Sequence, residues 1–247
     1  MYDDVTETKT KQTGKTEVRL CSKGYTEIVY ILDRSGSMDG LEADTIGGFN
    51  SMMEKQKSTG EKALVSTVLF DNECEVLHDR VEIEKVNKMT EEEYFVRGCT
   101  ALLDAVGGAI HHIGNIHKYA RAEDRPEKTI FIITTDGMEN TSSRYYYDKV
   151  QKMVKHQQGK YGWEFILVGA NIDAYEEAQR FGIIKDRAVN YVCDEVGTAG
   201  VYAGVSKAVC AVMSAKKATE VESCLSESGW EREIKADFKK RGRVGKN

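Results

Sequence analysis

Three oxygen-bearing side chains at alternate positions, Asp33, Ser35 and Ser37, stand in the stretch Asp33-Arg34-Ser35-Gly36-Ser37-Met38. A carboxylate and two hydroxyls at this spacing, with Gly36 relaxing the backbone between them, can curl around something small. A hard divalent cation suits such a set, because Mg2+ takes oxygen ligands in near-octahedral geometry and commonly retains several waters. The serines equally suit the cap of a following helix. Direct ligation by neutral hydroxyls would leave the charge of a cation largely uncancelled, so a metal here would call for a further anionic ligand.

Two later stretches supply more oxygens. Gly98-Cys99-Thr100-Ala101-Leu102-Leu103-Asp104 puts a Thr at a helix entrance, and Ile130-Phe131-Ile132-Ile133-Thr134-Thr135-Asp136-Gly137 is an apolar run ending in Asp-Gly. With these residues the chain resembles the von Willebrand factor type A domain, whose metal-ion-dependent adhesion site uses a DxSxS motif, a Thr and a later Asp in this order. The resemblance extends through Gly47-Gly48-Phe49-Asn50 and Leu69-Phe70-Asp71 and covers about residues 25 to 215. It implies Ser35, Ser37 and Thr100 as hydroxyl ligands of Mg2+, with Mn2+ or Ca2+ as alternatives, and Asp33 and Asp136 acting directly or through waters. It also implies an open coordination position for an Asp or Glu of a protein partner. All five positions match the family pattern. Arg34 adds a cation beside the motif that would steer acidic ligands.

The elements must bring these stretches together. Ile28-Val29-Tyr30-Ile31-Leu32 before Asp33 and the run before Asp136 both read as buried parallel strands. Helical spacing follows the first motif over residues 39 to 58, where paired Gly47 and Gly48 mean close packing or a bend, and Met52 and Met53 fill core. A strand at Lys62 to Phe70 turns at Asp71-Asn72-Glu73 into an antiparallel edge strand at Cys74 to His78. A helix begins near Thr100, and His111, His112 and His117 on it have poor spacing for a zinc site and read as surface residues. Further helices are expected from about Arg144 to Gln158, from Ala174 to Phe181 and from Thr198 to about Lys216, with strands at Glu164 to Val168 and Ala188 to Val192. This alternation predicts an α/β fold: a doubly wound, Rossmann-like, mostly parallel sheet with one antiparallel edge strand and helices on both faces. With the strand order 3-2-1-4-5-6, Asp33 and Asp136 would leave neighbouring strands roughly 5 Å apart, with Thr100 in the loop above.

The domain occupies residues 25–216, after a flexible N-terminal segment (1–24) rich in Thr, Lys, Glu and Asp and before a C-terminal extension (217–247) with a basic end. From Lys217 the periodic pattern fades, although Trp230 and Phe238 suggest docking on something apolar. Tyr145-Tyr146-Tyr147, in the loop beyond Asp136, offers at least one ring for an interface. A net charge of -5 and a pI near 5.7 give no general attraction to nucleic acid. Six scattered cysteines without zinc-like spacing, no signal sequence and no run near ~18 apolar residues point to the cytoplasm, with no membrane association.

An Mg2+-dependent phosphatase of the haloacid dehalogenase type also places an Asp at the end of its first strand. Its second Asp would stand where this chain has Ser35, so the acid/base residue is missing. A serine hydrolase would need a Gly-x-Ser-x-Gly turn that is absent. The sequence therefore reads as a binding module and not an enzyme: either a metal-dependent protein-interaction module or an accessory module of an ATPase or phosphorylation system, which would share the site and differ in its partner.

Overall fold

The computed structural model describes residues 24–242. The N-terminal segment before Gly24, Cys21 with it, and the end of the basic tail from Arg243 lie outside the described residues. Six strands form one sheet in the order β3-β2-β1-β4-β5-β6: β1 Thr26–Asp33, β2 Ala63–Phe70, β3 Cys74–Glu82, β4 Lys128–Thr135, β5 Glu164–Gly169 and β6 Ala188–Asn190. Every pairing is parallel except β2 with β3. This is the expected fold class and strand order.

Strands β1, β2, β4 and β5 are buried on both faces because the crossover helices cover both. Along β1, Ile28, Tyr30 and Leu32 point into one apolar layer and Val29 and Ile31 into the other, as the two-residue period of a strand requires. Helices α1 (Glu42–Lys57) and α5 (Glu195–Ser214) cover the first face, while α2 (Leu102–Tyr119), α3 (Tyr147–Tyr161) and α4 (Ala174–Phe181) cover the second. Gly48 does serve close packing: a Cβ there would lie 2.3 Å from the ring of Tyr202 on α5, whereas Gly47 faces open space. Phe49, Met52 and Met53 are core residues.

Several boundaries differ from the sequence reading. Helix α2 starts at Leu102, since Thr100 and Ala101 belong to the loop that reaches over the sheet, and α3 starts at Tyr147, since residues 139–145 are held in a clasp described below. By length and composition α5 is apolar enough to cross a membrane, although Thr198, Ser206 and Lys207 break its apolar run. Most of its surface is packed in the core against the sheet and α1.

The described residues beyond Lys217 are ordered into helices. Helices α6 (Val221–Glu227) and α7 (Arg232–Arg241) pack on α5, with Val221, Leu225, Trp230 and Ile234 buried in the same apolar layer as α1 and α5. Buried Arg187 ties α6 down through Ser226 Oγ and the Glu222 carbonyl, and Lys128 donates to the carbonyls of Met213 and Ala215 at the end of α5.

Both sheet edges are modified. Strand β6 has three residues, and the pairing of β3 with β2 shifts register twice, between Val65 and Thr67 and between Thr67 and Val68. Arg80 on β3 adopts a left-handed backbone (φ 51) and pairs with buried Glu27. His117 shares that carboxylate and packs edge-on against Trp163, so it is half-buried and not a surface residue. His112 pairs with Asp79 at the surface.

Candidate metal centre

Strands β1 and β4 are neighbours in register, with Leu32 opposite Thr134, so Asp33 and Asp136 emerge side by side at the carboxyl edge of the sheet. The five oxygen-bearing residues singled out in the sequence meet there. Asp33 Oδ1 accepts from the Ser35 amide at 2.8 Å, and Asp33 Oδ2 accepts from Thr135 Oγ1 at 2.6 Å. Ser35 and Ser37 hydroxyls lie 3.2 Å apart, Thr100 Oγ1 donates to Ser35 Oγ at 3.1 Å, and Ser37 Oγ donates to Asp136 Oδ1 at 2.6 Å. Neither serine caps a following helix: Ser35 precedes a short 3-10 turn, Gly36–Met38, without a side-chain cap bond, and α1 begins beyond it. Gly137 closes the cluster from above, since a Cβ there would come within 3.0 Å of Thr100 Oγ1 and 3.3 Å of Ser37 Oγ.

Among the described residues no cationic side chain pairs with either carboxyl group. Burial pushes the pKa of Asp33 up to about 6, against the pull of its Ser35 and Thr135 hydrogen bonds, and nearby Asp136 adds to the rise. Burial raises Asp136 as well, against the bond from Ser37. Two buried acids held above the usual carboxylate range beside three converging hydroxyls form a donor set that fits a hard divalent cation. Among the described residues no group of three or more His, Cys, Asp or Glu side chains converges in a metal-binding arrangement. A cation here would therefore need the hydroxyls of Ser35, Ser37 and Thr100 beside the two carboxylates. One soft atom borders the set: Cys193 Sγ lies 3.7 Å from Asp136 Oδ2.

Arg34 does not face acidic ligands as expected from its place in the motif. It is fully buried, because Asp71 and Glu75 draw its guanidinium under the rim: Nε bonds Asp71 Oδ2 at 2.9 Å and Nη1 meets Glu75 Oε2 at 2.8 Å. Arg97 joins the same Asp71 oxygen at 2.8 Å. Backbone bonds run with these ion pairs, from Arg97 N to Arg34 O, from Gly36 N to Gly98 O and from Ala101 N to Asp71 O. Arg34, Asp71 and Arg97 thus lock the loop carrying Ser35 and Ser37 to the loop carrying Thr100. Tyr94 adds a hydroxyl bond of 2.6 Å to the Asp33 carbonyl.

A second clasp fixes the Thr100 loop from the other side. Asp104 accepts from the amides of Ser143, Arg144 and Tyr145, while Glu139 accepts from the amide of Leu103 and the hydroxyl of Ser142. Asn140 accepts from the Thr100 amide and donates its own amide to the Thr100 carbonyl. The sequence reading missed these positioning roles. Asp104 at the start of an apolar stripe was the available signal, as an acid suited to a helix N-terminus. Of the three tyrosines, Tyr145 packs against Gly107, Tyr147 bonds Glu177 and packs on Phe181, and Tyr146 remains exposed.

No protein-family profile and no curated protein matches the chain. Solved structures do. The chain superposes on proximal thread matrix protein 1 from the mussel byssus with a TM-score of 0.51 at 15% identity, covering 76% of this chain and 46% of that one. A von Willebrand factor type A structure from Catenulispora acidiphila gives 0.51 at 14% identity over 73% of this chain and 41% of the other. The PilB minor pilin from Streptococcus sanguinis gives 0.51 at 11% identity, over 75% and 61%. This chain therefore matches about half the length of these proteins. At such identities the likeness shows the fold alone, and that fold is of the von Willebrand factor type A kind.

Proposed function

We propose that this protein is a metal-dependent protein-interaction module. Ser35, Ser37 and Thr100 would hold Mg2+, or Mn2+ or Ca2+ in its place, with Asp33 and Asp136 balancing its charge directly or through waters. The bound ion would supply an electrophilic position for an Asp or Glu side chain of a protein partner. The observation that carries this reading is the meeting of five oxygen-bearing side chains from three distant segments in one hydrogen-bonded cluster at the sheet rim. The von Willebrand factor type A-like fold supports a generic interaction role. Among the described residues the five cysteines are free thiols, which fits a reducing compartment such as the cytoplasm.

The module is read as non-enzymatic because Ser35 stands where a phosphotransferase of this topology would carry its acid/base. Two measurements test the reading. Calorimetric titration with Mg2+ should give saturable heat for the wild type and none for the Ser35→Ala, Ser37→Ala double variant. Affinity capture from native extract should recover partners with Mg2+ and lose them with EDTA or in Asp33→Ala. Partners retained in every condition would place the binding surface elsewhere, and ester or phosphoester turnover lost in Asp33→Ala would restore the enzyme reading.

A further inference from the structure

Beside the candidate metal centre the rim opens into a groove of about 780 Å3. Its apolar walls are Met138, Ile172, Val192 and Phe238, and Cys193 and Arg241 also line it. Cys193 joins the groove to the centre, because its Sγ contacts Asp136 Oδ2. Met138 follows Asp136 by two residues and is 68% exposed, so it presents an apolar side chain where the groove adjoins the cluster.

The groove is built to keep its shape. Its far wall is α7, held to the body by buried Trp230 and Ile234 and by Arg241, which pairs with Asp194 at the N-cap of α5 and with Asp237. Opposite, Asn171 holds a left-handed backbone (φ 55), and the Asp173 carboxylate accepts from the amides of Tyr175 and Glu176 at the start of α4. The charges bordering the groove are thus engaged within the protein. What the groove offers an incoming chain is apolar surface, while attraction for an anion would come from the neighbouring centre.

We infer that the partner of this surface is an extended peptide segment carrying an Asp or Glu and, within about two residues of it, a large apolar side chain. The acid goes to the metal centre and the apolar side chain lies among Met138, Ile172, Val192 and Phe238. This inference rests on the metal-dependent reading above. Two extended residues span roughly 7 Å, so acid and apolar group would occupy adjoining parts of one continuous surface. A preformed groove spares the ordering cost of building one on binding, and the division of labour makes neither feature sufficient alone.

The test is selection of short displayed peptides on the full chain in Mg2+, from one library with a fixed central Glu and a parallel one with Gln. The Glu library should yield binders enriched in Leu, Phe or Met within two positions of the Glu, and EDTA should release them. Met138→Ser and Phe238→Ser should each weaken such a peptide about tenfold, equivalent to about 1.4 kcal/mol, with the Mg2+ titration unchanged. Met138 is exposed, so its variant tests the groove without disturbing the core. Acid-dependent binders with no apolar enrichment, binders indifferent to both substitutions, or no binders despite normal Mg2+ heat would each overturn the groove and leave the metal reading standing. Equal binding from the Gln library, or binding that survives EDTA, would overturn both.

Discussion

Asp71 is a residue that no metal-site pattern singles out, yet it holds Arg34 and Arg97 through one carboxylate oxygen and binds the Glu73 amide through the other. Burial alone would raise its pKa. Hydrogen bonds from Arg97, Glu73 and Arg34 overcome that and leave it below the usual carboxylate range. A lowered folded pKa adds stability that is present above the unfolded value and lost as pH falls through the folded one. Asp71→Asn should therefore cost about 3–5 kcal/mol at neutral pH, the range for breaking a buried ion pair, and flatten the acid limb of stability below about pH 4. Urea unfolding across pH checks this; a loss under 1 kcal/mol, or an unchanged acid limb, would refute the role given to it. Asp33 has the opposite sign. Its folded pKa near 6 lies above the unfolded value, so in metal-free protein its contribution is most favourable in acid and is lost as pH rises to about 6. Asp33→Asn should accordingly abolish Mg2+ binding while making the EDTA-treated chain more stable at pH 7, by up to about 3 kcal/mol, with little difference near pH 4. An EDTA-treated variant weaker than wild type at pH 7 would show that the site's geometry needs the ionised acid.

Loops and helix packing carry predictions of their own. Gly137→Ala would push a methyl group toward the hydroxyls of Thr100 and Ser37, so Mg2+ affinity should fall about tenfold, or about 1.4 kcal/mol, at a near-normal melting temperature. An equal affinity by calorimetry would mean that the loop gives way freely. Gly48→Ala, driven into the Tyr202 ring between α1 and α5, should cost about 1–3 kcal/mol by overpacking and leave Mg2+ affinity alone, measured by denaturant midpoint and titration on one sample. The five oxygens were legible in the sequence because three lie in one short motif and two stand at the ends of obvious elements. The clasp of Asp104 and Glu139 was not, because the amides it binds from one loop to the other stand some 36 to 41 positions away and approach only in the finished fold. Arg34 was misread for the same reason. Its charge is visible in the sequence, but its neutralisation comes from Asp71 and Glu75 on the adjoining strand turn. The helices after Lys217 were missed although Val221, Leu225, Trp230 and Ile234 recur at near-helical spacing, because the charged residues between them dilute the stripe.

At the scale of the whole molecule, α6 and α7 complete the layer over α5. Trp230→Ala should cost about 3–5 kcal/mol, and removing residues 217–242 should lower the melting temperature and promote association through the uncovered face of α5. A truncated chain that melts with wild type and stays monodisperse would mean that the extension only rests on the surface. The modified sheet edges have a different bearing. Strands β1, β2 and β4 are continuous runs rich in β-branched residues, the composition that stacks into cross-β fibrils when a partner chain can reach it. In the folded protein all three lie inside the sheet. One border is a three-residue strand too short to template another, and the other is bulged and carries Glu75, Asp79, Arg80 and Glu82. The native state thereby keeps its most fibril-competent segments away from any free edge on which a second copy could grow.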